Sequence, residues 1–118
     1  MQTENSYIEQ LTESLKTINP YLVLLFGSYA YGTLSQDSDI DLLVVTNDDF
    51  MPKSFDEKIE ISLKVKKHLL NINKLVALDL IVYTRPMYKK FIELRSSFSR
   101  EILSKGIILY ESNHSTMA

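Results

Sequence analysis

The chain of 118 residues has no cysteine, which excludes disulfides, thiol catalysis and thiolate zinc sites. It has no basic excess either: 13 Lys and Arg stand against 15 Asp and Glu, a net charge of −2. A protein that bound nucleic acid by bulk electrostatics would show the opposite balance. A nucleotide substrate is still open to it, because metal ions can carry the positive charge. No apolar run is longer than a strand, and no signal peptide is apparent, so the expectation is a cytoplasmic protein without a membrane partner. Repeats, linkers and low-complexity segments are missing as well. The length suits one domain, 1–118, with residues 1–5 and 111–118 as tails. One local absence is sharper than these. No Lys or Arg occurs between Lys16 and Lys53.

What fills that cation-free interval is the stretch Leu24–Val45, LLFGSYAYGTLSQDSDIDLLVV. It reads as a buried strand over Tyr21–Phe26, a Gly27-Ser28 turn, a short helical or looped excursion, and a second strand that starts with Asp39-Ile40-Asp41. Carboxylates at i and i+2 of a strand project from one face, about 6.5–7 Å apart along the chain. Held that close, each raises the other's cost of ionising, and a divalent metal is the usual remedy for hard oxygen ligands. Gly27 lets backbone N–H groups approach a ligand, and a helix starting at Ser28 would turn its N-terminal N–H groups toward an anion. Acids facing a phosphate-binding turn are what phosphoryl or nucleotidyl transfer requires.

Gly27-Ser28, ten residues from Tyr29 to Ser38, then Asp39-Ile40-Asp41 resembles the Gly-Ser-x10-Asp-x-Asp signature of the DNA polymerase β-like nucleotidyltransferases. The chain is similar to the minimal nucleotidyltransferases that are often paired with a HEPN protein in toxin–antitoxin modules. That resemblance implies an α/β (α+β) fold, with a small mixed sheet packed by helices. It also implies a third acid on a neighbouring strand, a role that falls to Asp79, set between Leu78 and Leu80. Asp39, Asp41 and Asp79 would then be both the catalytic residues and the ligands of two Mg²⁺ ions. Gly27 and Ser28 would hold the triphosphate of ATP or another nucleoside triphosphate. Many relatives carry an Arg soon after the Gly-Ser pair, where this chain has Tyr29-Ala30-Tyr31. The missing charge would come from metal, from backbone N–H groups, or from a residue such as Arg85 or Lys53. Tyr29 and Tyr31 are open between stacking on a base and packing.

The rest of the chain reads as scaffold. Ser6 and Glu9 fit a capping box, opening a helix whose apolar stripe is Tyr7, Ile8, Leu11, Leu15 and Ile18 and which Pro20 ends. Asp37 suits a cap or turn better than metal, and turn chemistry explains the cluster Asn47-Asp48-Asp49 at least as well as a metal cluster does. Ser54 and Glu57 form a second capping box for a Lys-rich helix reaching about Leu70, with His68 near its end. Leu75–Tyr83 reads as the third strand, with Asp79 on the face of Ala77, Ile81 and Tyr83. Thr84-Arg85-Pro86 starts a last helix carrying the stripe Met87, Phe91, Leu94, Phe98 and Ile102. Lys105-Gly106 closes it in a left-handed turn, and Ile107–Tyr110 is a short strand.

Two readings of function follow. In one, the chain transfers AMP from ATP to a protein hydroxyl, and the resemblance makes that acceptor a Tyr of a HEPN toxin. In the other, it neutralises a partner by contact, with a vestigial metal site.

Overall fold

The computed structural model describes residues 4–32 and 39–112. Four strands form one mixed sheet in the order β3-β2-β1-β4. These are β1 (Leu22–Phe26), β2 (Ile40–Val45), β3 (Leu78–Tyr83) and β4 (Ile107–Glu111). β1 runs antiparallel to both β2 and β4, whereas β2 and β3 are parallel. A parallel pair needs a crossover, and this one consists of α3 (Phe55–Lys66), a 3₁₀ turn (Lys67–Leu69) and α4 (Leu70–Asn73).

Helices cover both faces, which is why the two central strands are apolar at nearly every position. On one face, Leu11 and Leu15 of α1 (Glu4–Lys16) and Val65, Leu69 and Ile72 of the crossover pack on Val23, Leu25, Leu42 and Val44. On the other, Phe91 of α5 (Arg85–Leu94) and Ile102 of α6 (Ser97–Lys105) pack on Leu22, Leu24, Phe26, Leu43 and Val45. Phe98 meets both Phe26 and Phe91 edge-on, with centroids 5.8 and 6.0 Å away. No described helix is long and apolar enough to cross a membrane.

Several boundaries differ from those the sequence predicts. α1 starts at Glu4, so Ser6 is inside the helix and not its cap; the Ser6 hydroxyl accepts from Gln10 Nε2 at 3.2 Å instead. The Lys-rich helix stops at Lys66, tightens into the 3₁₀ turn and resumes to Asn73. Ser54 does cap α3 by accepting from Glu57 N–H, while the Glu57 carboxylate reaches back to Lys53 N–H at 2.7 Å. β3 begins only at Leu78, because Leu75 and Val76 donate their N–H groups to Ile72 O and extend the preceding turn. Glu111 belongs to β4, not to a tail.

The largest difference is in the last helix, which is two helices. Arg95 adopts a left-handed conformation at φ +50°, and Ser96 caps α6 by accepting from Ser99 N–H. The break turns the expected stripe: Phe91 and Ile102 are buried, but Leu94 is 71% exposed. Gly106 is extended, not left-handed. Its need for glycine is close approach, since a Cβ there would lie 2.5 Å from the backbone carbonyl oxygen of Ile102. Asp37 and the loop around it lie outside the described residues.

Candidate active site

The site is assembled where β1 ends and β2 and β3 begin. Antiparallel pairing sets Phe26, the last residue of β1, opposite Asp41, the second residue of β2. Parallel pairing sets Asp41 beside Asp79, the second residue of β3. Two acids 38 positions apart in the chain are therefore adjacent on one face, the face of Leu43, Ile81 and Tyr83. The predicted alternation of β3 holds, and β3 is an edge strand on which Asp79 is exposed. Asp39 is exposed just before β2 and close enough to act on the Asp41 charge.

Gly27 closes the site from the β1 side. It stands at φ +74° as the residue before the short helix α2 (Ser28–Tyr31), a conformation that L side chains rarely adopt. A Cβ on Gly27 would lie 2.0 Å from Asp41 Oδ2. Glycine is thus required twice over, by backbone angle and by the carboxylate lying against it. α2 ends at Gly32, also left-handed at φ +77°, whose N–H returns to Ser28 O.

The electrostatics are those of crowded like charges. Burial pushes the Asp41 carboxyl above the usual carboxylate range, and the charges of Asp79 and Asp39 and a side-chain hydrogen bond to Asp79 push it the same way. Among the described residues no ion pair is made by any of the three. The donor set is all hard oxygen and in excess of negative charge, which suits Mg²⁺. Among the described residues, however, no three His, Cys, Asp or Glu side chains enclose a point that could hold a metal. The acids form an open rim, not a finished cage.

The suggested cations Arg85 and Lys53 do not join this rim. Arg85 follows β3 at the other end of the sheet, where Nη2 lies 3.6 Å from Asp49 Oδ1 and the guanidinium stands over the Tyr21 ring. Lys53 follows β2 at that same far end. Asn47–Asp49 behaves as a turn: Thr46 Oγ1 donates to Asp48 Oδ2 at 2.8 Å, and Asp48 O accepts from Arg85 N–H. A recess of about 390 Å³ opens there too, lined by Thr46, Asp48, Lys64 and His68, well away from the acids. Beside α2 the sequence reading missed Lys105, the last residue of α6, whose Nζ lies 5.8 Å from the Tyr31 ring centroid. Its distance from Gly27 in the chain hid it, although the cation-free interval signalled that some distant base must fold in. Tyr29 packs against the core on the α1 side. The Tyr31 hydroxyl is buried without a hydrogen-bond partner among the described residues.

Comparison with known proteins agrees with this geometry. The family described as nucleotidyltransferase domain matches residues 8–109. Two proteins of Methanocaldococcus jannaschii, each named "putative protein adenylyltransferase", are similar to the chain. One is 35% identical over 88 residues, covering 75% of this chain and 76% of the relative. The other is 32% identical over 107 residues, covering 85% and 95%. In fold, the chain resembles a crystal structure of a toxin–antitoxin with AMP-PNP, at a TM-score of 0.53 and 21% identity, covering 93% of this chain and 77% of that one.

Proposed function

The chain belongs to the nucleotidyltransferase domain family, and within it we propose that this protein moves AMP from ATP onto a protein hydroxyl, a Tyr of a HEPN toxin, and so acts as the antitoxin. One observation carries the reading: the Asp41 carboxylate lies against a left-handed Gly27 and beside Asp79 on the next strand. The names of the curated relatives support adenylyl transfer to protein, and the structure with AMP-PNP supports the toxin–antitoxin setting.

In the proposed reaction, Gly27 and the backbone at Ser28 hold the triphosphate. Asp39, Asp41 and Asp79 would hold Mg²⁺, which lowers the pKa of the acceptor hydroxyl and neutralises charge on the leaving group. The acceptor oxygen bonds to the α-phosphorus, the bond from that phosphorus to the bridging oxygen breaks, and pyrophosphate leaves with the electron pair. The hydroxyl proton passes to the carboxylate of Asp79, which its place on the edge strand leaves open to an incoming protein. Positioning supplies much of the rate of a bimolecular transfer, and in this reading the second protein brings its own hydroxyl to the bound nucleotide.

Radiolabelled ATP and Mg²⁺ offered with and without the protein encoded beside this chain test the proposal. Label should reach that protein and should reach small hydroxyl acceptors only slowly. Inhibition of the partner in a stable unlabelled complex would instead establish neutralisation by contact.

A further inference from the structure

The triphosphate that this reading places at Gly27-Ser28 carries several negative charges, yet no Lys or Arg lies between Lys16 and Lys53. Three acids line one flank of the turn. The other flank is formed by β4. Ile107 pairs with Leu25 in an antiparallel register, and Lys105, the last residue of α6, stands two residues before Ile107. The end of α6 thus comes in on the β4 side of β1, whereas Asp41 and Asp79 lie on the β2 and β3 side. The Lys105 stem is drawn toward α2, with Nζ over the Tyr31 ring, an attraction between ammonium and aromatic face. Among the described residues its ion-pair partner is Glu101, at 4.0 Å, with 63% and 50% of the two side chains exposed. Such a pair holds its ammonium weakly and leaves it available. The break at Arg95 and Ser96 is what aims it, because it lets α6 run back over Phe26 and end beside α2.

We propose that Lys105 is the anion-binding cation of this site, neutralising the phosphate tail of the bound nucleotide from the flank opposite the acids. This rests on the nucleotidyltransferase reading above. Lys105 takes the part that an Arg just after the Gly-Ser pair would otherwise play, and it acts on polyphosphate, not on the base. The contact is between a flexible ammonium and a solvent-facing anion, so its effect is moderate.

The test is equilibrium binding of ATP and of adenosine, with Mg²⁺ present, to the full chain and to Lys105→Gln and Lys105→Arg. Lys105→Gln should weaken ATP about 10-fold, the scale of one charge-assisted contact, and leave adenosine unchanged. Lys105→Arg should retain most of the ATP affinity. Lys105→Gln that binds ATP like the parent overturns the assignment, as does an equal loss of ATP and adenosine, which would mean that Lys105 merely props α2. If the parent chain binds no ATP, the nucleotide reading falls along with this one. ATP binding that ignores Lys105 removes only this one.

Discussion

The sheet has acids at both ends, and the two ends treat them differently. At the far end, Asp48 accepts from Thr46 and Asp49 lies beside Arg85, so each carboxylate serves the turn in which it sits. At the near end, Asp39, Asp41 and Asp79 crowd one another beside a glycine, and among the described residues none of them has a cationic partner. The same residue type stabilises one end and strains the other. Strain kept at one place in a small domain points to function.

The largest effect should come from Gly27. Gly27→Ala must hold φ +74° with ψ −156°, a region essentially reserved for glycine, and crowd a methyl group against Asp41 Oδ2, so we expect a loss of about 2–4 kcal/mol of stability together with loss of transfer. Gly32→Ala is the milder comparison. Its φ +77° and ψ 18° lie in the left-handed helical region and nothing lies within 4 Å of its Cβ, so it should cost only about 1–2 kcal/mol. Urea unfolding of the two variants measures the difference; equal losses would mean that neither the backbone angles nor the Asp41 contact at Gly27 adds to the cost of a positive φ.

Next, Asp79→Asn should slow transfer about 10²-fold or more if its carboxylate takes the acceptor's proton, with little change in melting temperature. A parental rate in single-turnover assays would remove Asp79 from the chemistry.

Asp41 predicts an effect of the opposite sign on stability. Burial first, then Asp79 and Asp39, raise its folded pKa, so the folded state holds this proton to higher pH than the unfolded state does. Stability from this group therefore falls as pH rises from about its usual 3.8 through the folded value. Asp41→Asn should melt higher than the parent at neutral pH, and the gain should shrink as pH is lowered toward the usual aspartate value. A gain independent of pH would contradict crowding as its cause. The smallest effect belongs to the far end. Asp49→Ala breaks an exposed pair with Arg85 at 3.6 Å and should change stability by no more than about 0.5 kcal/mol.

How far the sequence was legible follows the range of each interaction. Gly27-Ser28 and Asp39-Ile40-Asp41 could be read because their strands are local, apolar and joined by one short excursion. Asp79 could be placed on its face by alternation, but its exposure depends on β3 being an edge strand, which is a property of the sheet order. The last helix was misread because Met87, Phe91, Leu94, Phe98 and Ile102 keep a helical spacing straight across the break. The opposing signal, Ser96-Ser97, was there to be weighed, but Arg95 in a left-handed conformation is not what sequence suggests. Lys105 was invisible for a further reason. It comes to the side of α2 only through the pairing of β4 with β1, between residues more than 80 positions apart.

The central claim is that the crowded end of the sheet transfers a nucleotide to a second protein. It is tested most directly by mass spectrometry of the protein encoded beside this chain, purified after co-expression with the parent or with Asp39→Asn/Asp41→Asn. The account predicts AMP on a Tyr of that protein with the parent chain, and none with the double variant, which should fold at least as stably. Added AMP with both chains, or with neither while the partner is still silenced, would contradict it.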